Sequence, residues 1–280
     1  MIPGNAERLI YSKDSPYNRI LVYEEGLIRT LRLGAGPGAR KQSSIDVTDL
    51  GRHLLEYTQL TFAGLLVNKN PRKVLVIGLG GGVIPREMHG YFPEVEIDVA
   101  EIDSEVVEVA KRFFFFQPDE RLRVHVSDGR VFVRQQASRN PAPAYDMVIL
   151  DAFNNEYVPF HMATREFFDE VAAVLDPKGV VVANVFCRNQ LFNAQVQAFW
   201  EVYGRCYVFF GRHVTNAIVV CPGPYVPDLD PEVARERAGL LQRKHGFSFN
   251  LNTVARQFKP RFRPKRSAKV LTDDHTPVVR

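Results

Sequence analysis

The chain predicts an α/β protein, a doubly wound sheet preceded by a small N-terminal β-domain. Three observations carry this. From Arg72 onward, short apolar runs alternate with helix-compatible segments. One of these runs, Val74-Leu75-Val76-Ile77, leads straight into the cluster Gly78-Leu79-Gly80-Gly81-Gly82. Before residue 70 the alternation is missing. There, Arg19-Ile20-Leu21-Val22-Tyr23 and Ile28-Arg29-Thr30-Leu31-Arg32-Leu33 have the short pattern of antiparallel strands.

Taken in order, Gly34-Ala35-Gly36-Pro37-Gly38 forms a turn or loop after those two strands. Residues 50–66 carry apolar side chains near helical spacing (Leu54, Leu55, Phe62, Leu65, Leu66) and should pack on the sheet that follows. The division is therefore 1–66 for the β-domain and its linking helix, and 67–280 for the α/β domain. Strands are expected at 73–77, 96–100, 122–126, 147–150, 179–183, 208–210 and 218–221. Helices are expected at 83–91, 105–113, 130–136, 165–175 and 191–203. A charged helix fits 228–245, with Pro231 in its first turn. Residues 246–269 read as irregular and basic. Phe113-Phe114-Phe115-Phe116 reads as core packing or a subunit contact.

The formal charge of +4 does not argue for a nucleic-acid partner. The basic excess collects in Lys259, Arg261, Arg263, Lys265, Arg266 and Lys269, punctuated by Pro260 and Pro264, and reads as a solvated loop. Cys187, Cys206 and Cys221 make no CxxC pair, so neither a zinc site nor a disulfide framework is indicated. No apolar run approaches the ~20 residues of a membrane span, and no signal pattern opens the chain. A cytoplasmic, reducing compartment is expected, with no membrane contact and no metal.

In a doubly wound sheet, ligands bind outside the carboxyl ends of the strands. Four candidate groups share that rim. The glycines at 78 and 80 permit a tight turn and close backbone approach to a ligand. Glu101 ends the second strand roughly twenty residues past the loop, where an acid accepts hydrogen bonds from ribose hydroxyls. Asp128, followed by Gly129, could accept from an adenine amine or cap the next helix, and the two roles are compatible. Asp151 ends the apolar strand Asp146-Met147-Val148-Ile149-Leu150-Asp151 at the centre of the crevice. It could take a proton from an attacking amine, or cap the loop Ala152–Pro159. His161, just beyond, is a lesser candidate.

The order of glycine loop, Val-Ala-Glu-Ile-Asp, Val-Ser-Asp-Gly-Arg and Tyr-Asp-Met-Val-Ile-Leu-Asp resembles the spermidine/spermine synthases, the polyamine aminopropyltransferases. So do Pro159 to Phe168 and Leu175-Asp-Pro-Lys-Gly179. The likeness covers about residues 10–220 and includes the N-terminal β-domain. The terminal Leu271-Thr272-Asp273-Asp274 is similar to bacterial spermidine synthase-like proteins. The resemblance implies a Rossmann-like, class I methyltransferase-type catalytic domain that binds no permanent cofactor. Decarboxylated S-adenosylmethionine would be the co-substrate, its aminopropyl group passing to a polyamine such as putrescine as methylthioadenosine leaves. By motif position Glu101 would hold the ribose, Asp128 and Gly129 the adenine, and Gly78 and Gly80 the methionine-derived portion. Asp151 would be the base, and Gln42, Tyr57, Asn154 and His161 would line the acceptor pocket, where acidic groups attract a polycation. A homodimer is also implied.

Two positions depart from the family pattern. Its loop is typically Gly-Gly-Gly-Asp-Gly, with an acid for the donor's amino group, and Gly81 stands in that place. Its catalytic loop is typically Asp-Ser-Ser-Asp, and here Asp151-Ala152-Phe153-Asn154 ends in an amide. Both changes keep two alternatives open: a methyltransferase using intact S-adenosylmethionine, and a non-catalytic adenosyl-ligand binder.

Overall fold

A computed structural model describes residues 6–34, 39–152, 158–188, 190–260, 262–265 and 267–274. The N-terminal strands β1 (Arg8–Asp14), β2 (Arg19–Glu25), β3 (Ile28–Leu33) and β4 (Arg40–Asp46) form an antiparallel sheet in that order. Only β2 and β3 are legible from their apolar pattern. β1 has no fully buried residue, and β4 opens on Arg-Lys-Gln. The buried face of this sheet (Ile20, Val22, Leu31, Leu33, Ile45) packs on Val83, Val106, Val109 and Phe114 of the following domain. The pairing of β3 with β4 slips at Gln42: Leu31 faces Ser43 while Arg32 faces Lys41. Gln42 is the extra residue of a bulge, a device that bends a strand and re-aims its side chains.

The connection to the second sheet is shorter in helix than its spacing suggests. α1 (Glu56–Thr61) gives way to a 3-10 turn over Phe62–Leu66, and residues 50–55 are not helical. The second sheet has eight strands. β5 (Lys73–Ile77), β6 (Glu96–Glu101), β7 (Leu122–Val126), β8 (Tyr145–Leu150) and β9 (Leu175–Phe186) are parallel, and β10 (Tyr207–Phe210), β11 (Asn216–Pro222) and β12 (Phe258–Lys259) complete it antiparallel. The spatial order is β12-β10-β11-β9-β8-β5-β6-β7. The chain leaves β5 towards β6 on one side and later returns to β8 on the other. The crevice between the carboxyl ends of β5 and β8 is therefore the switch point where such sheets take ligands.

Two faces are covered, so the central strands bury everything. Val74 and Val76 enter one apolar layer, Leu75 and Ile77 the other, as the two-residue period of a strand requires. On the first face lie α2 (Val83–Tyr91), α3 (Ser104–Phe113), α7 (Pro231–His245) and α8 (Leu251–Arg256). On the second lie α4 (Gly129–Ala137), α5 (Arg165–Val174) and α6 (Phe192–Tyr203). Among the described residues no helix is long and apolar enough to cross a membrane.

Two expectations need correction. First, Cys206 and Cys221 form a disulfide. They lie opposite each other across β10 and β11, whose register pairs Tyr207 with Val220, so hairpin geometry rather than a spacing motif brings them together. The cysteines thus no longer support the expectation of a reducing compartment. Second, the segment after α7 is not wholly irregular. Asn250 caps α8 by accepting from the Asn252 amide, Phe247 and Phe249 are buried, and β12 pairs with β10. The basic stretch is partly packed as well, with Arg263 stacked 3.9 Å over the Trp200 ring. Arg261 and Arg266 lie outside the described residues. The phenylalanine run packs as expected in part: Phe114 and Phe116 are buried beneath the glycine loop while Phe115 is exposed.

Candidate active site

A crevice of about 610 Å³ opens between the carboxyl ends of β5, β6 and β8, the edge of β4, and the segment 213–216 ahead of and entering β11. Gly78, Gly80, Glu101, Asp128, Gly129, Asp151, Gln42, Tyr57 and His161 all line it. Asn154 lies outside the described residues.

The glycine loop turns at the end of β5. Gly78 has φ +94°, and a Cβ there would stand 2.5 Å from the carbonyl oxygen of Asp151. The two strand ends meet backbone to backbone, with the Asp151 amide donating to the Ile77 carbonyl at 2.9 Å. At Gly81 a Cβ would stand 2.8 Å from Ser43 Cβ and 2.9 Å from the Phe114 ring, and the Gly81 amide donates to Ser43 Oγ at 2.8 Å. The acid expected of the family at this place is therefore excluded by packing: Ser43 of β4 occupies its room.

Glu101 is buried at the end of β6. Its Oε2 accepts from the Leu79 amide (2.9 Å) and its Oε1 from the Asp103 amide (3.0 Å). Burial raises its pKa, and the two amides partly offset that. Each oxygen keeps a lone pair for a further donor such as a hydroxyl. Replacing Glu101 with alanine is expected to weaken adenosyl-ligand binding by about 1–3 kcal/mol, the scale of charge-assisted hydrogen bonds lost. Unchanged affinity by calorimetry would remove Glu101 from the site.

Asp128 caps the next helix, one of the two roles open to its backbone position. Its Oδ1 caps α4 by accepting from the Val131 amide at 3.0 Å, and its Oδ2 pairs with His161 Nε2 at 2.9 Å. Burial opposes ionisation of Asp128, but these two partners hold it below the usual carboxylate range. His161 thus stands at the Asp128 end of the crevice. Behind it, Arg130 of α4 is buried and donates to Glu170 (2.8 and 2.6 Å), to both oxygens of Asp273 (2.8 and 2.7 Å) and to the His161 carbonyl (2.9 Å). The Thr164 hydroxyl also donates to Asp273, and the Arg165 amide donates to the Leu271 carbonyl. The terminal Leu-Thr-Asp-Asp segment is thereby fastened to the helices that carry this wall.

Asp151 closes the floor. Burial pushes its pKa up to about 7, with the Asn184 amide working against that shift. Asn184 Nδ2 donates to Asp151 Oδ1 at 2.8 Å, and Asn216 Nδ2 donates in turn to Asn184 Oδ1 at 2.9 Å. Tyr57 stands nearby with its phenol donating to the Gln42 carbonyl at 2.9 Å, and burial followed by the Asp151 charge raises its pKa. Next to it, Glu56 accepts from the Arg212 and His213 amides and from Gln257, which fixes the segment leading to β11 over the crevice. Sequence reasoning missed Asn184, Asn216 and Ser43. Asn184 carried a signal, a single amide in the valine-rich strand Val-Val-Val-Ala-Asn-Val. Ser43 carried none, because β4 comes to the loop from far away in the chain.

A glycine loop, a buried acid at the end of β6 and a second acid at the switch point define the class: an α/β protein of the methyltransferase-type fold. The family follows from sequence. The chain belongs to the spermine/spermidine synthases, the pattern described as "Spermine/spermidine synthase domain" matching residues 55–222. It is 38% identical over 203 residues to a polyamine aminopropyltransferase of Vibrio vulnificus, covering 72% of this chain and 67% of that protein. It is also 33% identical over 204 residues to the human eEF1A lysine and N-terminal methyltransferase, covering 68% of this chain but only 28% of that longer protein. Among solved structures, human methyltransferase-like protein 13 in complex with SAH matches with a TM-score of 0.63 at 27% identity, over 76% of this chain and 97% of that one.

Proposed function

We propose that this protein transfers the aminopropyl group of decarboxylated S-adenosylmethionine to an amine. The observation that carries the reading is Asp151, a carboxyl at the switch point whose burial brings its proton affinity near neutral pH. The acceptor nitrogen attacks the methylene carbon bound to the donor's sulfonium. The carbon–sulfur bond breaks with its electron pair staying on sulfur, and methylthioadenosine leaves. The proton released by the new secondary amine passes to the Asp151 carboxylate. Glu101 is read as the ribose ligand, and Asp128 with Gly129 as the adenine wall. Gly78 and Gly80 let the backbone approach the sulfonium portion, while Gln42 and Tyr57 face the acceptor. The same reading carries the division at 66/67, a homodimer and a cytoplasmic setting.

A second reading is favoured by one observation. The packing of Ser43 and Phe114 against Gly81 leaves no room for an acid that would bind the decarboxylated donor's amino group and repel a donor carboxylate. A site so built suits intact S-adenosylmethionine and methyl transfer. Calorimetric titration with each donor separates the readings. Tighter binding of the decarboxylated donor, with methylthioadenosine formed on adding an amine, supports aminopropyl transfer. Tighter binding of the intact donor, with S-adenosylhomocysteine as product, overturns it.

A further inference from the structure

Three polar side chains stand in a row at the crevice end of the apolar sheet, and the two-residue period of a strand places them there. Met147 and Ile149 of β8, Val180 and Val182 of β9, and Ile218 and Val220 of β11 all enter the apolar layer on the first face. Continued to the crevice, that face carries Asp151 just past β8, Asn184 on β9 and Asn216 at the start of β11. The three strands are neighbours in the sheet. Leu150 pairs with Ala183, which brings Asp151 beside Asn184. Asn216 pairs with Phe186, two residues beyond Asn184.

The hydrogen bonds along this row point one way. Asn216 Nδ2 donates to Asn184 Oδ1 at 2.9 Å, and Asn184 Nδ2 donates to Asp151 Oδ1 at 2.8 Å. An ionised carboxylate has no proton to give, so Asn184 must turn its nitrogen to Asp151 and its oxygen away. Asn184 is buried, so that oxygen needs a donor, and Asn216 supplies one. With the row reversed, an amide oxygen would face Asp151, and the contact would hold only with the carboxyl protonated. The chain is also pinned just ahead of Asn216, where Glu56 of α1 accepts from the Arg212 and His213 amides.

We propose that Asn216 is a positioning residue for the transfer: by donating to Asn184 it keeps that amide's nitrogen turned to Asp151 Oδ1, which leaves Oδ2 to take the acceptor's proton. The proposal deepens the aminopropyl-transfer reading and rests on it for the role of Asp151. As the carbon–nitrogen bond forms and the carbon–sulfur bond breaks, the proton on the attacking nitrogen passes to Oδ2, and the Asn184 bond to Oδ1 stays in place. That bond also loosens the carboxylate's hold on a proton, against the burial that tightens it. Other titratable groups face the row. On α1, burial and then the Asp151 charge raise the Tyr57 phenol well above its ordinary value. On the same helix burial opposes ionisation of Glu56, but the Arg212 and His213 amides bring it below the ordinary value. Arg40 and Lys41 of β4 and His213 also border the crevice, and Glu101, Asp103, Asp128 and His161 stand further along its rim. The inflection is therefore assigned by substitution.

Methylthioadenosine formation from the decarboxylated donor and putrescine would be followed in the full chain from about pH 5 to about pH 9. The wild-type inflection belongs to Asp151 if Asp151→Asn lacks it. Asn216→Leu removes the donor and should move the inflection up by about half to one pH unit, the scale of one net hydrogen bond. Asn216→Asp, which near neutral pH can only accept, should turn the Asn184 nitrogen away from Asp151 and move the inflection further. Both effects must pass through Asn184. In an Asn184→Leu background, Asn216→Leu should no longer move the inflection, and Asn216→Asp should move it less. An inflection that Asn216→Leu leaves in place, or moves equally in both backgrounds, would overturn the proposal. Melting temperature reads the same carboxyl without turnover. A native pKa raised further extends the loss of stability to higher pH, so the fall in melting temperature should level off at a higher pH in Asn216→Leu than in the wild type. Failure of the parent reading looks different: no methylthioadenosine forms from the decarboxylated donor with any amine, while the melting profiles still separate the variants.

Discussion

Asp151→Asn is expected to lower turnover roughly 10²–10⁴-fold, the range associated with loss of a positioned general base. Adenosyl-ligand affinity should change little, since the groups read as donor ligands lie on other strand ends. The carboxylate is the competent form, and burial raises its pKa from the ordinary 3.8 to about 7. Wild-type rate should therefore climb as pH rises towards about 7 and level off above it, and the variant should lack that inflection. Stability runs the other way. A carboxyl whose pKa is raised by folding binds its proton more tightly in the native state, so stability falls as pH rises from about 4 to about 7. Asparagine cannot ionise, so at pH 8 the variant should melt at a higher temperature than the wild type. Transfer at near wild-type rate would dismiss the base assignment. A variant that melts lower at pH 8 would dismiss the claim that this carboxylate is held at a cost to the fold.

Gly78→Ala is expected to destabilise the fold strongly, because its strain and its clash coincide. The residue has φ +94°, a region that disfavours any Cβ, and the added carbon would stand 2.5 Å from the Asp151 carbonyl oxygen and 2.9 Å from its carbon. Both obstacles are backbone, so no rotamer change relieves them. β5 and β8 would have to part at their carboxyl ends and break the Asp151-to-Ile77 hydrogen bond. Strain and overpacking each contribute about 1–3 kcal/mol, for a combined loss of roughly 2–6 kcal/mol. Urea unfolding would show a lower midpoint, and adenosyl binding should be lost with it. A midpoint matching the wild type would mean that the two strand ends are not so closely joined.

What the sequence disclosed follows from the range of the forces involved. β5, β8 and β9 are buried on both faces and spell apolar runs, so β5 falls where its residues predict and β8 and β9 are only longer, while the edge strand β7 is legible from the alternation Leu-Arg-Val-His-Val. The glycine loop and the acids behind it are local features at the ends of such runs. β1 and β4 were not legible because one side of that sheet is exposed and the bulge at Gln42 breaks the alternation. The same gap hid Ser43, and with it the reason Gly81 carries no side chain. The pairing of Cys206 with Cys221 depends on hairpin register, which spacing alone does not encode.

The Arg130–Asp273 contact ties two distant stretches of chain into one thermodynamic cycle. Arg130 holds the terminal acid with one edge and the His161 carbonyl with the same fork, and His161 in turn reaches Asp128. If an adenosyl ligand that settles against Asp128 binds the docked arrangement of residues 271–273 more tightly, docking favours the ligand by the same free energy. Loosening the segment would then weaken the grip on the nucleoside by that amount.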